Sequence, residues 1–247
     1  MIILHDVLTV MWKESREIIA IYGSLKGGIF RYMLIIGIFG IYIPYNIGRG
    51  FAENPFYLLM YVWITMIMGV GTVVDSIAGE RERHTLETLL ASRLSDSTIL
   101  FGKVLSTVLN GFGMNVILIV LGLTVVNVAF WNGQITLYPM EAFALVLLVS
   151  LLINIFFAAL GVLVSLRAQT VRQGSEMLLV ALIGIAAVPF ILFFVIPNDL
   201  KKKVLDAIVS TSLTGLEVGA IAVLTIMCLI TLYIAMLNFR RDKLILD

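Results

Sequence analysis

The chain has 247 residues, of which 60% are hydrophobic and 13% charged, with a formal net charge of +1 and a mean hydropathy of +1.06. A soluble domain carries about 25% charged residues, so this apolar excess exceeds what one soluble core can bury, and the bilayer is the expected solvent. The near-neutral charge excludes the global positive field of a nucleic-acid binder, and the lone Cys228 excludes an intrachain disulfide.

In lipid every backbone polar group must be paired within the protein, which leaves helices or a closed barrel, and the alternation of a barrel strand is missing. Residues 1–28 hold Asp6, Glu14, Glu17 and Lys26 without a cleavable apolar core, so no signal peptide is expected. Residues 5–20, "HDVLTVMWKESREIIA", place Val7, Leu8, Met11, Ile18 and Ile19 near one helical face, with Lys13, Glu14, Arg16 and Glu17 elsewhere. This pattern predicts an amphipathic helix along the cytoplasmic interface, at a depth that suits Trp12.

Six charge-poor windows then predict spans at about 31–48, 55–75, 104–130, 142–166, 177–197 and 217–239. The first contains Pro44; the third ends at the turn-like "WNGQ" of 131–134, with Trp131 and Tyr138 expected at the interface. Between the fifth and sixth, "PNDLKKKVLDAIVSTSLTG" has helical apolar spacing and predicts a helical outer loop, either on the bilayer surface or over the bundle. With both termini cytoplasmic, most Lys and Arg lie inside and only Arg49 and Lys201 to Lys203 outside, which fixes the expected orientation. The fold class expected is therefore an all-α membrane protein, a single transmembrane domain over 1–247.

One stretch breaks the charge-poor pattern. "GERERHTLETLL" at 79–90 concentrates Glu80, Arg81, Glu82, Arg83, His84 and Glu87 between the second and third windows. Leu86, Leu89 and Leu90 would share a helical face there, and charges three or four apart can pair. After "ASRL" a second helix is expected, capped by Ser95 or Asp96 and continuing into the third span. Taken alone, such a run reads as an ordinary solvated face.

The longer run "GERERHTLETLLASRLSDSTILFGKVLS" at 79–106 resembles the signature of type-2 ABC transporter permeases. Glu80, Glu82, Thr85, Leu86, Glu87, Leu89, Leu90, Ser95, Gly102 and Lys103 carry the match. His84 stands where that family often has Gly, and Arg93 where Pro is common. The six-span layout, the N-terminal interfacial helix and the basic loop "RAQTVRQGSE" extend the resemblance over the chain.

The resemblance implies a cytoplasmic coupling helix between spans two and three that docks on an ATPase subunit through Glu80, Arg81, Glu82, Arg83, Thr85, Leu86, Glu87 and Leu90. It implies two ABC ATPase subunits, a second permease chain as homodimer or heterodimer, export, and a cell-membrane location. It also favours spans two and five as the wall of a translocation path, pointing to Tyr57, Tyr61, Thr65, Met68, Phe190, Phe193 and Phe194. Asn110 and Asn154 are further candidates for that path.

From the residues themselves, Thr65, Thr107, Asn110, Asn115, Ser150 and Asn154 are expected to form interhelical hydrogen bonds, because an unpaired amide in hydrocarbon is costly. Asp75 is expected at the interface, paired with a basic residue. No phosphate loop of the form GxxxxGK[ST] occurs, so no ATP hydrolysis is expected of this chain, and ATP and Mg²⁺ are expected on the partner. With only His5 and His84, and neither HExxH nor GxSG, no catalytic or metal site is expected. A stand-alone channel or ion-coupled transporter remains the alternative.

Overall fold

A computed structural model describes residues 2–22, 28–54, 56–85, 88, 91–195 and 213–239, and helices account for most of them. In chain order they are α1 (Ile2–Tyr22), α2 (Gly28–Ile35), a wide π turn (Ile36–Tyr42), α3 (Ile43–Ile47), α4 (Gly50–Glu53) and α5 (Phe56–Val74). A second π turn (Asp75–Gly79) leads to α6 (Glu80–Glu82), followed by α7 (Asp96–Ala129), α8 (Met140–Ser165), α9 (Val171–Val195) and α10 (Leu213–Asn238). Among the described residues four stretches are long and apolar enough to cross a membrane: Ile29–Ile47, Asp96–Ala129, Met140–Ser165 and Thr214–Asn238. α5 and α9 cover most of the second and fifth expected windows.

α7 is the central element, packed against α1, α5, α8 and the first π turn. It begins eight residues earlier than the expected span, because the Ser95 hydroxyl accepts the Thr98 amide at 3.2 Å and so caps an N–H that has no intrahelical partner. α10 lies along α8, where the Cys228 thiol meets the Leu152 carbonyl at 3.1 Å. Two of the apolar clusters among the described residues lie toward opposite ends of the bundle, with a smaller third at Val74, Ala78, Ala168 and Leu178. One gathers Phe51, Leu58, Tyr61, Leu118 and Val126. The other gathers Ile77, Ile99, Leu100, Val104, Val162 and Phe239 toward the opposite end.

The chain turns at 132–134, as "WNGQ" predicts, with Gly133 at φ +88°. Trp131 is 62% exposed, whereas Tyr138 is buried against the bundle, with its hydroxyl donating to the Ile119 carbonyl at 3.3 Å. A buried phenol usually finds an acceptor for its hydroxyl.

The N-terminal helix forms as expected, but its inner face differs from the apolar stripe read in sequence. Val10 and Glu14 are buried, whereas Leu8 and Trp12 point outward. Gly102 of α7 makes this approach possible: a Cβ there would lie 2.5 Å from Val10 Cγ1. Small residues serve this purpose wherever helix backbones come close. The outer-loop helix expected at 197–215 lies outside the described residues up to 212, and Leu213 to Gly215 open α10.

The two π turns have different origins. Pro44 has no N–H for the carbonyl four residues before it, which accounts for the widened turn of Ile36–Tyr42. The Tyr61 hydroxyl donates to the Phe39 carbonyl within that turn at 3.1 Å. The second turn, "DSIAG", contains no proline.

Candidate functional site

The charged segment that opens the link between α5 and α7 is built from this second π turn. α6 ends at Glu82, and the leucines whose spacing predicts a helix lie outside the described residues, while Thr88 between them is helical. Arg83 and His84 form a turn, and His84 has φ +56°, in the left-handed region. That is where the sequence departs from the family's Gly. A side chain there is disfavoured by contact of its Cβ with the following carbonyl.

Glu80 is only 5% exposed and does not face solvent. Its Oε1 lies 3.0 Å from Lys13 Nζ and 3.7 Å from Lys103 Nζ, and its Oε2 accepts the Thr85 hydroxyl. Lys103, 0% exposed, donates to Glu14 Oε1 at 2.6 Å and to the Ser76 carbonyl of the π turn. Lys13 also reaches Glu17 at 3.1 Å. Glu14, Glu17 and Glu80 thus converge within 4.8 Å of one another, and the two ammonium groups of Lys13 and Lys103 lie among them and offset two of the three charges. A buried charge survives only when it is paired and its remaining bonds are met.

Burial pushes the Glu14 carboxyl above its usual range, with Lys103 and Lys13 pulling the other way. Burial acts likewise on Glu80, but the Thr85 hydroxyl and the two lysines outweigh it and hold that carboxyl below its usual range. Burial opposes the charge of Lys13 as well, and the surrounding carboxylates overcome it and raise its pKa.

The other charges of the segment are also engaged. Arg81 donates to the Ala168 carbonyl at 2.6 Å and to the Leu166 carbonyl at 3.2 Å, where the end of α8 leaves acceptors free. Glu82 Oε2 accepts the Val171 amide at 3.0 Å, at the start of α9. Arg83 pairs with Asp75 at 3.0 Å, the basic partner expected for that acid.

The expected docking residues therefore divide. Glu80 is turned inward, and Arg81 is half-buried and bound to the α8–α9 turn. Glu82, Arg83 and Thr85 remain exposed. Leu86, Glu87 and Leu90 lie outside the described residues. Lys13 and Glu14, which sequence reasoning left on the polar face of α1, belong to the site. The signal was present in "GK" at 102–103: a lysine entering an apolar helix needs a buried counter-charge, and Glu14 lies one turn beyond the Val10 that Gly102 receives.

The path candidates fare differently. Tyr61 is fully buried against Phe51, and Tyr57 stacks on that ring at 5.1 Å. Both sit in their own bundle's core rather than on a cavity wall, because Phe51 of α4 folds back onto α5. Thr65 bonds the Tyr61 and Val62 carbonyls of its own helix. Asn154 bonds the Ser150 carbonyl, and Thr107 bonds that of Lys103. These three are intrahelical, correcting the expected bonds between helices: a carbonyl one turn back is already within reach. They share a cavity of about 10 Å³ with Gly69, Val73 and Leu178, room for about one water.

Asn110 does bond across helices, to Tyr32. Asn115 and Ser150 are completely buried, and the Asn115 amide and Ser150 hydroxyl have no hydrogen-bond partner among the described residues. The side chains of Met68, Phe190, Phe193 and Phe194 lie outside the described residues.

No curated protein matches the chain. Residues 42–214 match the ABC-2 family transporter protein family, a stretch that includes the whole charged segment, its π turn and α5 to α9 but not α1. With that match covering well over half its length, the chain belongs to the ABC-2 transporter family, as a type-2 ABC transporter permease.

Proposed function

We propose that this chain is the membrane-spanning subunit of an ABC exporter, pairing with a second permease chain and driven by two separate ATPase subunits. In this reading ATP and Mg²⁺ are held by those subunits, and this chain performs no bond chemistry. Both termini are cytoplasmic, and the translocation path forms between the two permeases. The segment from Gly79 to Lys103 is the docking lever, contacting the ATPase through its exposed residues.

The observation that carries the reading is the anchoring of that segment. Glu80, Arg81, Glu82 and Arg83 tie it to α1, α7, the α8–α9 turn and the second π turn through charge-assisted bonds. Such bonds are roughly twice as strong as neutral ones, so a displacement of the segment is passed to several helices together. The distribution of charge supports the orientation: Lys13, Arg81, Arg83 and Lys103 gather at this end of the bundle, while Arg49 sits beyond the far end of α7 and donates to the Phe130 carbonyl at 2.6 Å.

The test is co-purification of the chain with its ATPase subunit. Thr88 and Arg93 are exposed and have no described partner within the bundle, so Thr88→Arg combined with Arg93→Glu should reduce the bound ATPase at least tenfold while the permease elutes normally. An unchanged complex, or no ATPase bound to the wild type, refutes the docking reading.

A further inference from the structure

The second π turn needs a cause other than proline, and Ser165 supplies it. This serine, the last residue of α8, is 0% exposed. Its hydroxyl donates to the Val74 carbonyl at 2.8 Å and accepts the Ala78 amide at 2.8 Å. Val74 and Ala78 are four apart, so their carbonyl and amide would bond each other in an uninterrupted α-helix. The hydroxyl sits between them, and a side chain inserted into this ladder widens the turn.

The neighbouring carbonyls are met in the same way. Ser76 Oγ donates to Val73 at 2.7 Å, and Lys103 donates to Ser76. The wide turn is therefore held open by side chains from two other helices, and the wider turn decides which way the following residues face. An α-helix advances about 100° per residue. If the turn closed to α, everything after it would rotate by about that angle, carrying Glu80 away from Lys13 and Lys103 and Arg81 away from the Leu166 and Ala168 carbonyls.

We propose that Ser165 is the positioning residue of the charged segment, its hydroxyl holding the π turn and thereby fixing the rotation of Glu80 to Thr85 relative to the bundle. Loss of that hydroxyl lets the Val74 carbonyl and Ala78 amide, both deeply buried, find each other, since buried backbone groups are rarely left unpaired. The significance for coupling rests on the function proposed above: an ATPase would meet a segment whose orientation is set by the end of α8. The rotation itself does not depend on that reading.

The experiment measures the distance between spin labels at Thr88→Cys and Leu237→Cys, both exposed positions, in the full chain with Cys228→Ala and without any ATPase. Ser165→Ala should shift the principal distance by on the order of 5 Å, the displacement expected from rotating a helix by one residue, and Ser165→Thr should restore the wild-type distance. Combining Ser165→Ala with deletion of Ala78 removes the extra residue of the wide turn and should also restore it, even where Ser165→Ala alone folds poorly. An unshifted Ser165→Ala, a Thr variant shifted as far as Ala, or a deletion that does not restore the distance overturns the proposal. Because no ATPase is present, failure of the docking reading would not change the outcome.

Discussion

Replacing Lys103 with Met isolates the node that joins α1, α7 and the charged segment. The ammonium is fully buried, 2.6 Å from Glu14 Oε1 and 3.7 Å from Glu80 Oε1, and it also satisfies the Ser76 carbonyl. Met fills nearly the same volume, so packing changes little and the electrostatic loss dominates. Removing one partner of a buried ion pair costs about 3–5 kcal/mol, because the remaining charge is uncompensated. Lys13 stays 3.8 Å from Glu14 and is half-exposed, which places the expected loss near the lower end, about 3 kcal/mol. For a chain of this length that is roughly 6–12 °C in Tm, measured by thermal unfolding of the purified chain in detergent. Glu14→Gln combined with Lys103→Met removes the stranded charge and should regain at least half of the loss. A single variant within 2 °C of wild type, or a double variant no better than the single, would refute this account of the cluster.

The remaining predictions concern single features. At His84, with φ +56°, substitution by Val should lower stability by about 1–2 kcal/mol, whereas Gly should be neutral or better; faster limited proteolysis near residue 84 in the Gly variant would contradict this. Asn115→Leu and Ser150→Ala replace buried polar groups that have no partner among the described residues, and since such a group costs about 1–3 kcal/mol, each should leave Tm unchanged or raise it; a drop of several degrees would mean that these groups are paired. Glu80, whose carboxyl is held below its ordinary value of 4.5, contributes stability that is fully present above that value and lost as pH falls through the lowered one. Acid unfolding should therefore be less steep in Glu80→Gln than in wild type, and parallel curves would count against the Glu80 network.

Local features were legible in the sequence. The Ser95 cap, the "WNGQ" turn and the Asp75–Arg83 pair each depend on residues close in the chain, and each stands as expected. The turn at Arg83 and His84 was not legible, because the leucine spacing continues past it without a break. Features that depend on distant residues were not legible. Glu80 meets Lys13 and Lys103, Ser165 meets Val74 and Ala78, and Tyr138 meets Ile119 only once the helices are assembled. The first π turn is marked by Pro44, but nothing in "DSIAG" marks the second, whose cause lies 87 residues away in α8.

The concentration of charge at 79–90 then has a physical reason that the apolar composition alone does not give. At 1.5 Å per residue, the 34 residues of α7 extend about 50 Å, against about 30 Å of hydrocarbon. Roughly 20 Å of this helix must therefore project beyond the bilayer core. Lys103, in the second turn from the capped start of α7, lies where the projecting part meets the bundle, and α1 is fixed there through Glu14. A projecting helix without lateral bonds would pivot at that point and absorb any push applied to its end. The inward-facing charges prevent this: Lys103 ties the start of α7 to α1 and the π turn, and Arg81 and Glu82 tie α6 to the α8–α9 turn. In the docking role proposed above, a coupling segment must be stiff before it is adhesive; most of the charged dozen is bound to its own bundle, which leaves the smaller exposed set to meet an ATPase.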